Sequence, residues 1–191
     1  MRIVGGKFKG RALVAPDGRS TRPTSDRARE AVFNILEHAD FAPDLNGVRV
    51  MDVFAGSGAL GLEALSRGAS FCLFVDTDDE ARGAIRENVE AFGLFGNTRI
   101  HRRDATRLGV RPGSQAEAFG LVFMDAPYHK GLTEQGLDCL TNGQWLSEDA
   151  LIVVEVAADE DINITHLWQV IDSRAYGAAR ILFLKQKIHN Q

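Results

Sequence analysis

Short runs of apolar and β-branched residues alternate with amphipathic stretches along most of the chain. Such runs predict buried β-strands, and apolar positions three or four residues apart predict helices that bury one face. The predicted strands are residues 48–54, 71–75, 98–102, 119–124 and 150–156, followed by an antiparallel pair at 168–173 and 180–185 around Gly177. The predicted helices are residues 26–37, 59–67, 79–92 and 132–140.

This alternation of strands with helices predicts an α/β fold with a mainly parallel sheet covered by helices on both faces. Ligands of such sheets bind beyond the carboxyl ends of the strands. Polar residues follow four of the predicted strands, at 52–58, Asp76, Asp104 and 125–128. We therefore expect these four segments to form one ligand site along a single edge of the sheet.

The first 40 residues precede the alternating pattern and are expected to form a small extension of the domain at 41–191. Residues 2–14 predict a two-stranded hairpin around a glycine turn, with Lys7, Lys9 and Arg11 near its tip. Phe8 lies among these cations, where it either contacts a nucleic-acid base or belongs to the core.

A helix is expected directly after this hairpin, at residues 26–37. Thr24 or Ser25 has the side chain needed to cap its amino terminus. Its apolar positions predict one buried face. The arginines around its start are expected to be exposed, namely Arg22, Arg27 and Arg29.

Charge is divided unevenly between the extension and the rest of the chain. The formal net charge of the 191 residues is −4, but residues 1–29 contain eight Lys and Arg and two Asp. Residues 1–29 therefore have a net charge of +6 and the remainder of the chain −10. A basic arm on an acidic body indicates a partner that bears phosphates. The alternative interpretation is a basic surface that is exposed to solvent and binds no partner.

The remaining composition indicates an ordinary globular protein of the reducing cytoplasm. Apolar residues make up 45% of the chain, enough for one core in a single domain. Cys72 and Cys139 have no neighbouring ligand residues, so we expect neither a disulfide nor a zinc site. The five histidines show no metal-ligand spacing. The apolar runs are too short for a membrane span or a signal peptide.

The polar segment after the first predicted strand is rich in glycine. Gly56, Gly58 and Gly61 match the pattern G-x-G-x-x-G, and Asp76 follows Gly56 by twenty residues, so an NAD-binding dehydrogenase is one interpretation. Asp52 favours another, because a buried carboxylate repels a pyrophosphate and attracts a cation. S-adenosylmethionine carries a sulfonium cation and an ammonium group, and also a ribose whose hydroxyls Asp76 can bind.

A second cluster of candidate residues follows the strand predicted at 119–124. Asp125 is a hydrogen-bond acceptor, Pro127 stiffens the turn, and Tyr128 has an aromatic face. Together these groups can hold a planar ring that carries an amine. Asp104 can likewise accept a hydrogen bond from the adenine amino group. A plain strand-ending turn and a surface aspartate are the respective alternatives.

At these motifs the chain resembles the bacterial 16S ribosomal RNA guanine-N2 methyltransferases, a family within the class I S-adenosylmethionine-dependent methyltransferases. The resemblance covers nearly the whole chain and is most specific in the opening Arg-Ile-Val-Gly-Gly-Lys-Phe-Lys-Gly-Arg and in residues 21–36. It implies a Rossmann-like, seven-stranded, mainly parallel sheet with a closing antiparallel hairpin. It also implies a cytoplasmic monomer that uses S-adenosylmethionine, no metal and no membrane, and acts on 16S rRNA, the small ribosomal subunit or an assembly intermediate.

The resemblance also implies roles for individual residues. Those that bind the cofactor are Asp52, Phe54, Ala55, Gly56, Ser57 and Gly58 around the methionine part, Asp76 and Thr77 at the ribose, Asp104 and Ala105 at adenine, and Asp125. Those that hold the target base are Asp125, Ala126 and Tyr128. Those that contact RNA are Arg2, Lys7, Lys9, Arg11, Arg22 and Arg27.

One position departs from the family pattern. The family usually has Asp-Pro-Pro followed by an aromatic residue, and this chain has Ala126 in place of the first proline. The alanine does not fix φ, but its carbonyl is still available as an acceptor. We expect activity to survive. Two related interpretations stay open: an N6-adenine DNA methyltransferase, and a non-catalytic RNA-binding or ribosome assembly factor that retains the cofactor fold.

Overall fold

A single seven-stranded sheet forms the centre of the computed structural model, which describes residues 1–16, 25–114, 117–164 and 166–187. The strands are β1 (Arg49–Val53), β2 (Phe71–Val75), β3 (Thr98–His101), β4 (Phe119–Asp125), β5 (Leu146–Ala157), β6 (Trp168–Tyr176) and β7 (Ala179–Gln186). The helices are α1 (Asp26–His38), α2 (Ala59–Ser66), α3 (Asp79–Phe92) and α4 (Leu132–Asn142), with short 3-10 helices at Gly6–Phe8 and Phe95–Asn97.

The strand order is β3-β2-β1-β4-β5-β7-β6. The first five strands pair in parallel, and β7 lies antiparallel between β5 and β6. This arrangement confirms the predicted sheet and its closing hairpin. The structure extends β5 towards its amino terminus by four residues, to Leu146, beyond the strand predicted from residue 150.

Apolar side chains form one core on each face of the sheet. Helices α1, α2 and α3 cover one face with residues such as Phe33, Leu62 and Ile85. Helix α4 and residues 105–108 cover the other face. Strands buried on both faces are apolar throughout, which is why β2 was predicted at its observed boundaries. Among the described residues, no helix is long and apolar enough to cross a membrane.

The N-terminal segment differs from the predicted hairpin. Instead of two strands, it has a single antiparallel bridge between Arg2 and Ala12 and a 3-10 turn at its tip. Its backbone bonds side chains of α2 instead: Val4 N–H donates to Glu63 Oε2 at 2.9 Å, and Phe8 N–H to Ser66 Oγ at 2.9 Å. These two backbone N–H groups are therefore not available to pair with a neighbouring strand, and the segment lies against α2 as an irregular hairpin.

The tip of this segment lies at the end of the sheet opposite the carboxyl ends of the parallel strands. Phe8 is 8% exposed and stacks on Phe92 with a ring centroid distance of 5.0 Å. Phe8 is therefore a core residue. Because Ser66 and Phe92 end α2 and α3, the tip is displaced from the helix starts by about 12 Å along α2 and about 21 Å along α3.

The start of α1 is partly as predicted. Ser25 caps the helix, since its Oγ accepts from Ala28 N–H at 3.1 Å. Arg27 is exposed, whereas Arg22 lies outside the described residues. The prediction that Arg29 is exposed is wrong: its side chain is fully buried and forms ion pairs with Asp26 at 2.8 Å and Glu63 at 3.6 Å. Those carboxylates offset the cost of burying the guanidinium, and they come from two different helices.

Candidate functional site

A cleft of about 700 Å³ lies beyond the carboxyl ends of β1, β2 and β4. Three of the four predicted segments contribute to it, from the glycine loop after β1, from the end of β2 and from the end of β4. The predicted residues in its lining are Asp52, Phe54, Ala55, Gly56, Ser57, Asp76, Thr77, Asp125, Ala126 and Tyr128.

The glycine loop makes the turn from β1 into α2. Gly56 and Gly58 have positive φ angles of 54° and 73°, and Phe54 has a φ of 56°, a region that side chains with a Cβ seldom adopt. A Cβ on Gly61 would lie 2.5 Å from the Phe74 ring and 2.6 Å from Cys72 Sγ. The third glycine of the motif therefore serves close packing of α2 on β2, and the first two shape the loop.

Asp52 is the most deeply buried acid of the cleft. Its side chain is at the end of β1, the residue is 2% exposed, and Oδ2 accepts from Gly61 N–H at 2.9 Å. Burial raises the pKa of Asp52 to about 8, against the hydrogen bond from Gly61, and the charge of Asp76 adds to the rise. A cation in the cleft would favour the ionised form.

Asp76 connects the end of β2 to the glycine loop. Its Oδ2 accepts from Gly56 N–H and its Oδ1 from Asp78 N–H, both at 2.9 Å. Each oxygen retains a second lone pair that a ribose hydroxyl can use. The spacing of twenty residues between Gly56 and Asp76 therefore reflects a direct contact between these two residues.

The segment after β4 combines a buried carboxyl with an aromatic ring. Burial raises the pKa of Asp125 well above its usual range, and the charges of Glu155 and Asp52 raise it further. Tyr128 donates from its hydroxyl to Glu155 Oε1 at 2.6 Å. Glu155 was not predicted from the sequence; it is the β5 residue paired in register with Asp125. Only that register places it in the site.

Three predicted cofactor residues do not line the cleft: Gly58, which precedes α2 as its N-cap, and Asp104 and Ala105. Asp104 is exposed, and its Oδ1 accepts from Thr106 N–H at 2.9 Å and from Thr106 Oγ1 at 2.7 Å. These hydrogen bonds lower the pKa of Asp104. Ala105 is 3% exposed and packs in the core under α4. The connection of Asp104 and Ala105 to the cleft is indirect, through Asp76 N–H, which donates to the carbonyl of His101 at 3.2 Å.

The N-terminal segment contributes a wall of the cleft that sequence reasoning missed. Met1, Ala15 and Pro16 all line it, and Ser57 Oγ lies 3.7 Å from Met1 Sδ in a hydrogen bond. No local pattern marks these apolar residues as site residues. The other lining residues that were not predicted are Ala59, Leu60, Asp78, Ala81 and Lys130, whereas Pro127 lies in the turn expected after β4.

The predicted RNA-contacting cations divide into two groups. Arg2 follows the lining residue Met1, and its N–H donates to Asp26 Oδ1 at 3.3 Å at the start of α1, where Arg27 is the next residue. Lys7 and Lys9 are exposed at the distant tip. Arg11 also lies there, where its guanidinium donates to the Ala91 carbonyl at 2.5 Å and stacks 4.3 Å from the centre of the Phe92 ring.

The charge of the cleft decides between the ligands that the glycine motif permits. Its lining contains four carboxyl groups, of Asp52, Asp76, Asp78 and Asp125, and one basic side chain, that of Lys130. Asp76 and Asp78 would repel a pyrophosphate, whereas an ammonium and a sulfonium would be attracted and would favour the ionised forms of Asp52 and Asp125. The donor set therefore fits S-adenosylmethionine and disfavours NAD. Within the described residues, no group of three or more acids, histidines or cysteines is arranged to hold a metal ion.

Comparison with known proteins gives consistent matches over most of the chain. A family model described as “Conserved hypothetical protein 95” matches residues 1–185. The chain is 39% identical over 155 residues to the putative rRNA methyltransferase YlbH of Bacillus subtilis, covering 81% of this chain and 82% of that protein. It is 38% identical over 155 residues to the ribosomal RNA small subunit methyltransferase D of Escherichia coli, covering 81% and 74%. The solved structure of the putative methyltransferase yhhF from Escherichia coli matches with a TM-score of 0.81, at 31% identity and 98% coverage of each chain.

Proposed function

This chain belongs to the family described as “Conserved hypothetical protein 95” and has the fold of the class I methyltransferases, and we propose that it transfers a methyl group from S-adenosylmethionine to the exocyclic N2 of a guanine in 16S ribosomal RNA. The observation that supports this proposal is that one cleft is lined both by the glycine loop with the neighbouring acids Asp52 and Asp76 and by Asp125, Ala126 and Tyr128. The names of the relatives, an rRNA methyltransferase and a small-subunit rRNA methyltransferase, agree with an RNA substrate.

The glycine loop and the acids around it are the proposed cofactor site. Asp52 faces the cationic methionine part together with residues 54–58, and Asp76 and Thr77 hold the ribose. Asp104 and Ala105 follow β3 beside Asp76 and flank the adenine, which would extend the site past the present cleft lining. The bound cofactor supplies an electrophilic methyl group on its sulfonium.

The segment after β4 is the proposed clamp for the target guanine. The N2 lone pair is delocalised into the purine ring, so the amine is a weak nucleophile while it is planar. Asp125 and the Ala126 carbonyl accept its two hydrogens and favour a pyramidal nitrogen that points its lone pair at the methyl group. Tyr128 stacks on the base, and its hydrogen bond to Glu155 limits the rotation of the ring. Positioning and electrostatics account for the rate without a covalent intermediate.

The RNA substrate must present the guanine outside a helix, because the amine lies on a base edge that pairing occupies. Residues 1–40 form the proposed RNA-contacting extension of the domain at 41–191. Its cations contact phosphates, with Arg2 and Arg27 nearer the target and Lys7, Lys9 and Arg11 farther away. Arg22 is also proposed to contact RNA and lies outside the described residues. The proposed partner is 16S rRNA, alone or in a small subunit or an assembly intermediate, bound by a monomer in the cytoplasm.

The experiment that tests this function is methyl transfer to small-subunit RNA and subunits from cells that lack this protein. We expect nucleoside mass spectrometry to detect N2-methylguanosine. Asp125→Ala is expected to abolish transfer, whereas Asp149→Ala, at an exposed residue outside both the cleft and residues 1–40, leaves transfer unchanged. Methylated adenine instead of guanine would support the N6-adenine alternative. An Asp125→Ala variant that restores subunit assembly in cells would support the assembly factor.

A further inference from the structure

A strip of arginines begins on the outermost strand β3 and continues into the segment that follows it. Residues 98–107 contain four arginines and a single acid, Asp104. All four arginines are exposed. We call them the β3 strip; they are Arg99, Arg102, Arg103 and Arg107.

Little of the positive charge of the β3 strip is offset by ion pairs among the described residues. None of the ion pairs found among the described residues includes one of its arginines. The carboxylate of Asp104 accepts hydrogen bonds from Thr106, which lower its pKa, and the charge of Arg107 lowers that pKa further. Asp104 therefore offsets part of the charge of Arg107. The pKa of His101 reflects the positive charge around it. Burial lowers this pKa, and the charges of Arg103 and Arg99 lower it further.

Most of the β3 strip follows the carboxyl end of β3, at the same end of the sheet as the cleft. His101 ends β3 and accepts a hydrogen bond at 3.2 Å from the N–H of Asp76, a cleft residue, and Arg102 and Arg103 come next in the chain. Strand β4, which ends at Asp125, is three strands away in the order β3-β2-β1-β4, or about 14 Å at the usual strand spacing. Lys7 and Lys9, in contrast, lie at the opposite end of the sheet.

We propose that the β3 strip binds phosphates of the RNA strand next to the target guanine, so that the substrate crosses the carboxyl edge of the sheet from β4 to β3. This inference rests on the proposed function and adds a contact surface to it. Guanidinium groups bind phosphates through paired hydrogen bonds, and such contacts position a nucleic acid without reading its sequence.

The test is the salt dependence of RNA binding by a triple variant, Arg99→Gln, Arg102→Gln and Arg107→Gln. Arg103 is left in place because it donates to the Leu108 carbonyl at 3.2 Å. The matched control is Arg174→Gln, Lys185→Gln and Lys187→Gln, which removes the same charge from the β6–β7 side of the sheet. Fluorescence anisotropy of a labelled small-subunit RNA fragment is measured over a series of salt concentrations.

We expect the triple variant to reduce the slope of log affinity against log salt by about 2, since each phosphate contact to a single strand contributes about 0.7. The control keeps the wild-type slope, and S-adenosylmethionine affinity is the same in all three proteins. If the wild-type protein binds RNA and the triple variant has the same slope, the proposed phosphate-binding role of the β3 strip is wrong, while the proposed function is not affected. Wild-type protein that binds no RNA overturns both.

A second measurement separates the proposal from a protective role of the same residues. Charged side chains on an edge strand also prevent pairing with the edge of another molecule. Light scattering on the triple variant detects such self-association. Dimers that form while the salt slope stays at the wild-type value would assign the arginines to edge protection and overturn the proposal, whereas a monomer with a reduced slope supports it.

Discussion

Asn88 holds the main chain of Val14 at both of its polar groups. Its Oδ1 accepts from Val14 N–H at 2.8 Å, and its Nδ2 donates to the Val14 carbonyl at 2.9 Å and to the Ser57 carbonyl at 3.3 Å. Asn88 is 1% exposed, on α3. One buried amide thus connects the glycine loop to the segment that carries Ala15 and Pro16 into the cleft.

Replacing Asn88 by alanine is therefore expected to loosen the N-terminal wall of the cleft. We expect S-adenosylmethionine binding to weaken by about tenfold, the order of effect for unpaired buried polar groups. The KM for the cofactor rises while kcat at saturating cofactor stays close to wild type, because the clamp after β4 is untouched. Asn97→Ala is the matched control, since Asn97 donates to the Ser70 carbonyl at 3.0 Å on the exposed surface. A general loss of kcat without a change in KM would contradict a positioning role.

The pKa of Asp52, raised to about 8 in the folded protein, predicts how stability varies with pH. An unfolded aspartate ionises near pH 4, so between about pH 4 and pH 8 the folded chain holds a proton that the unfolded chain has lost. The contribution of Asp52 to stability therefore falls as pH rises through this window. Asp52→Asn keeps an acceptor for Gly61 N–H and removes the titration. Between about pH 5 and about pH 8, we therefore expect the melting temperature of the variant to fall less than that of the wild-type protein.

Cofactor binding gives a second readout of the same group. A cationic ligand favours ionised Asp52, so binding near neutral pH is expected to release protons. Calorimetry in buffers of different ionisation enthalpy measures this release. Equal proton release by wild type and Asp52→Asn would show that Asp52 does not sense the cation.

The Tyr128 to Glu155 hydrogen bond predicts different effects for two substitutions of the tyrosine. Tyr128→Phe keeps the stacking face and loses the hydroxyl, so we expect kcat/KM for RNA to fall by less than about tenfold. Tyr128→Ala also loses stacking, which contributes about 1–3 kcal/mol per base, so the fall is about tenfold to a hundredfold. Similar losses in both variants would mean that the hydroxyl, not the ring face, is the important group.

Glu155→Gln tests the charge opposite Asp125. The glutamine still accepts from Tyr128, but it no longer raises the pKa of Asp125 through its charge. Because the accepting carboxylate then ionises at lower pH, the acid limb of the pH–rate profile is expected to move to lower pH. A limb that stays in place would indicate that ionisation of Asp125 does not limit the reaction.

Restoring the family's proline at position 126 tests the departure from the usual motif. Ala126 is buried and keeps its carbonyl, so Ala126→Pro is expected to change methyl transfer by less than about threefold, with the main effect on chain entropy. Methyl transfer that appears only in the proline variant would mean that the natural alanine has inactivated the clamp.

The tip of the N-terminal segment offers a test of distant RNA contacts. Lys7→Ala with Lys9→Ala is expected to lower the salt slope of RNA binding by about 1.4, from two phosphate contacts on a single strand. Cofactor affinity is expected to be unchanged, because both lysines lie far from the cleft. An unchanged slope would remove the tip from the RNA interface. Arg11 is left intact, since its stacking on Phe92 is part of the fold.

The sequence by itself determined the elements and the family. Strands such as β2 and helices such as α3 match their predicted residues because burial imposes a period on the chain that is visible locally. The parallel order then follows from the alternation of elements, and with it the position of the site at the carboxyl ends. The link between Gly56 and Asp76 was visible for the same reason, as a fixed spacing across one strand-helix-strand unit.

Only the tertiary structure decided which distant residues meet. Glu155 enters the clamp through the register of β4 with β5, and Asn88 reaches Val14 across 74 positions of sequence. Arg29, predicted at the surface, is buried because acids from two helices surround it. Asp104 lies outside the cleft because its own turn occupies its carboxylate. Pairings of this kind depend on how elements pack against one another, and a local pattern of apolar and polar residues contains no record of that packing.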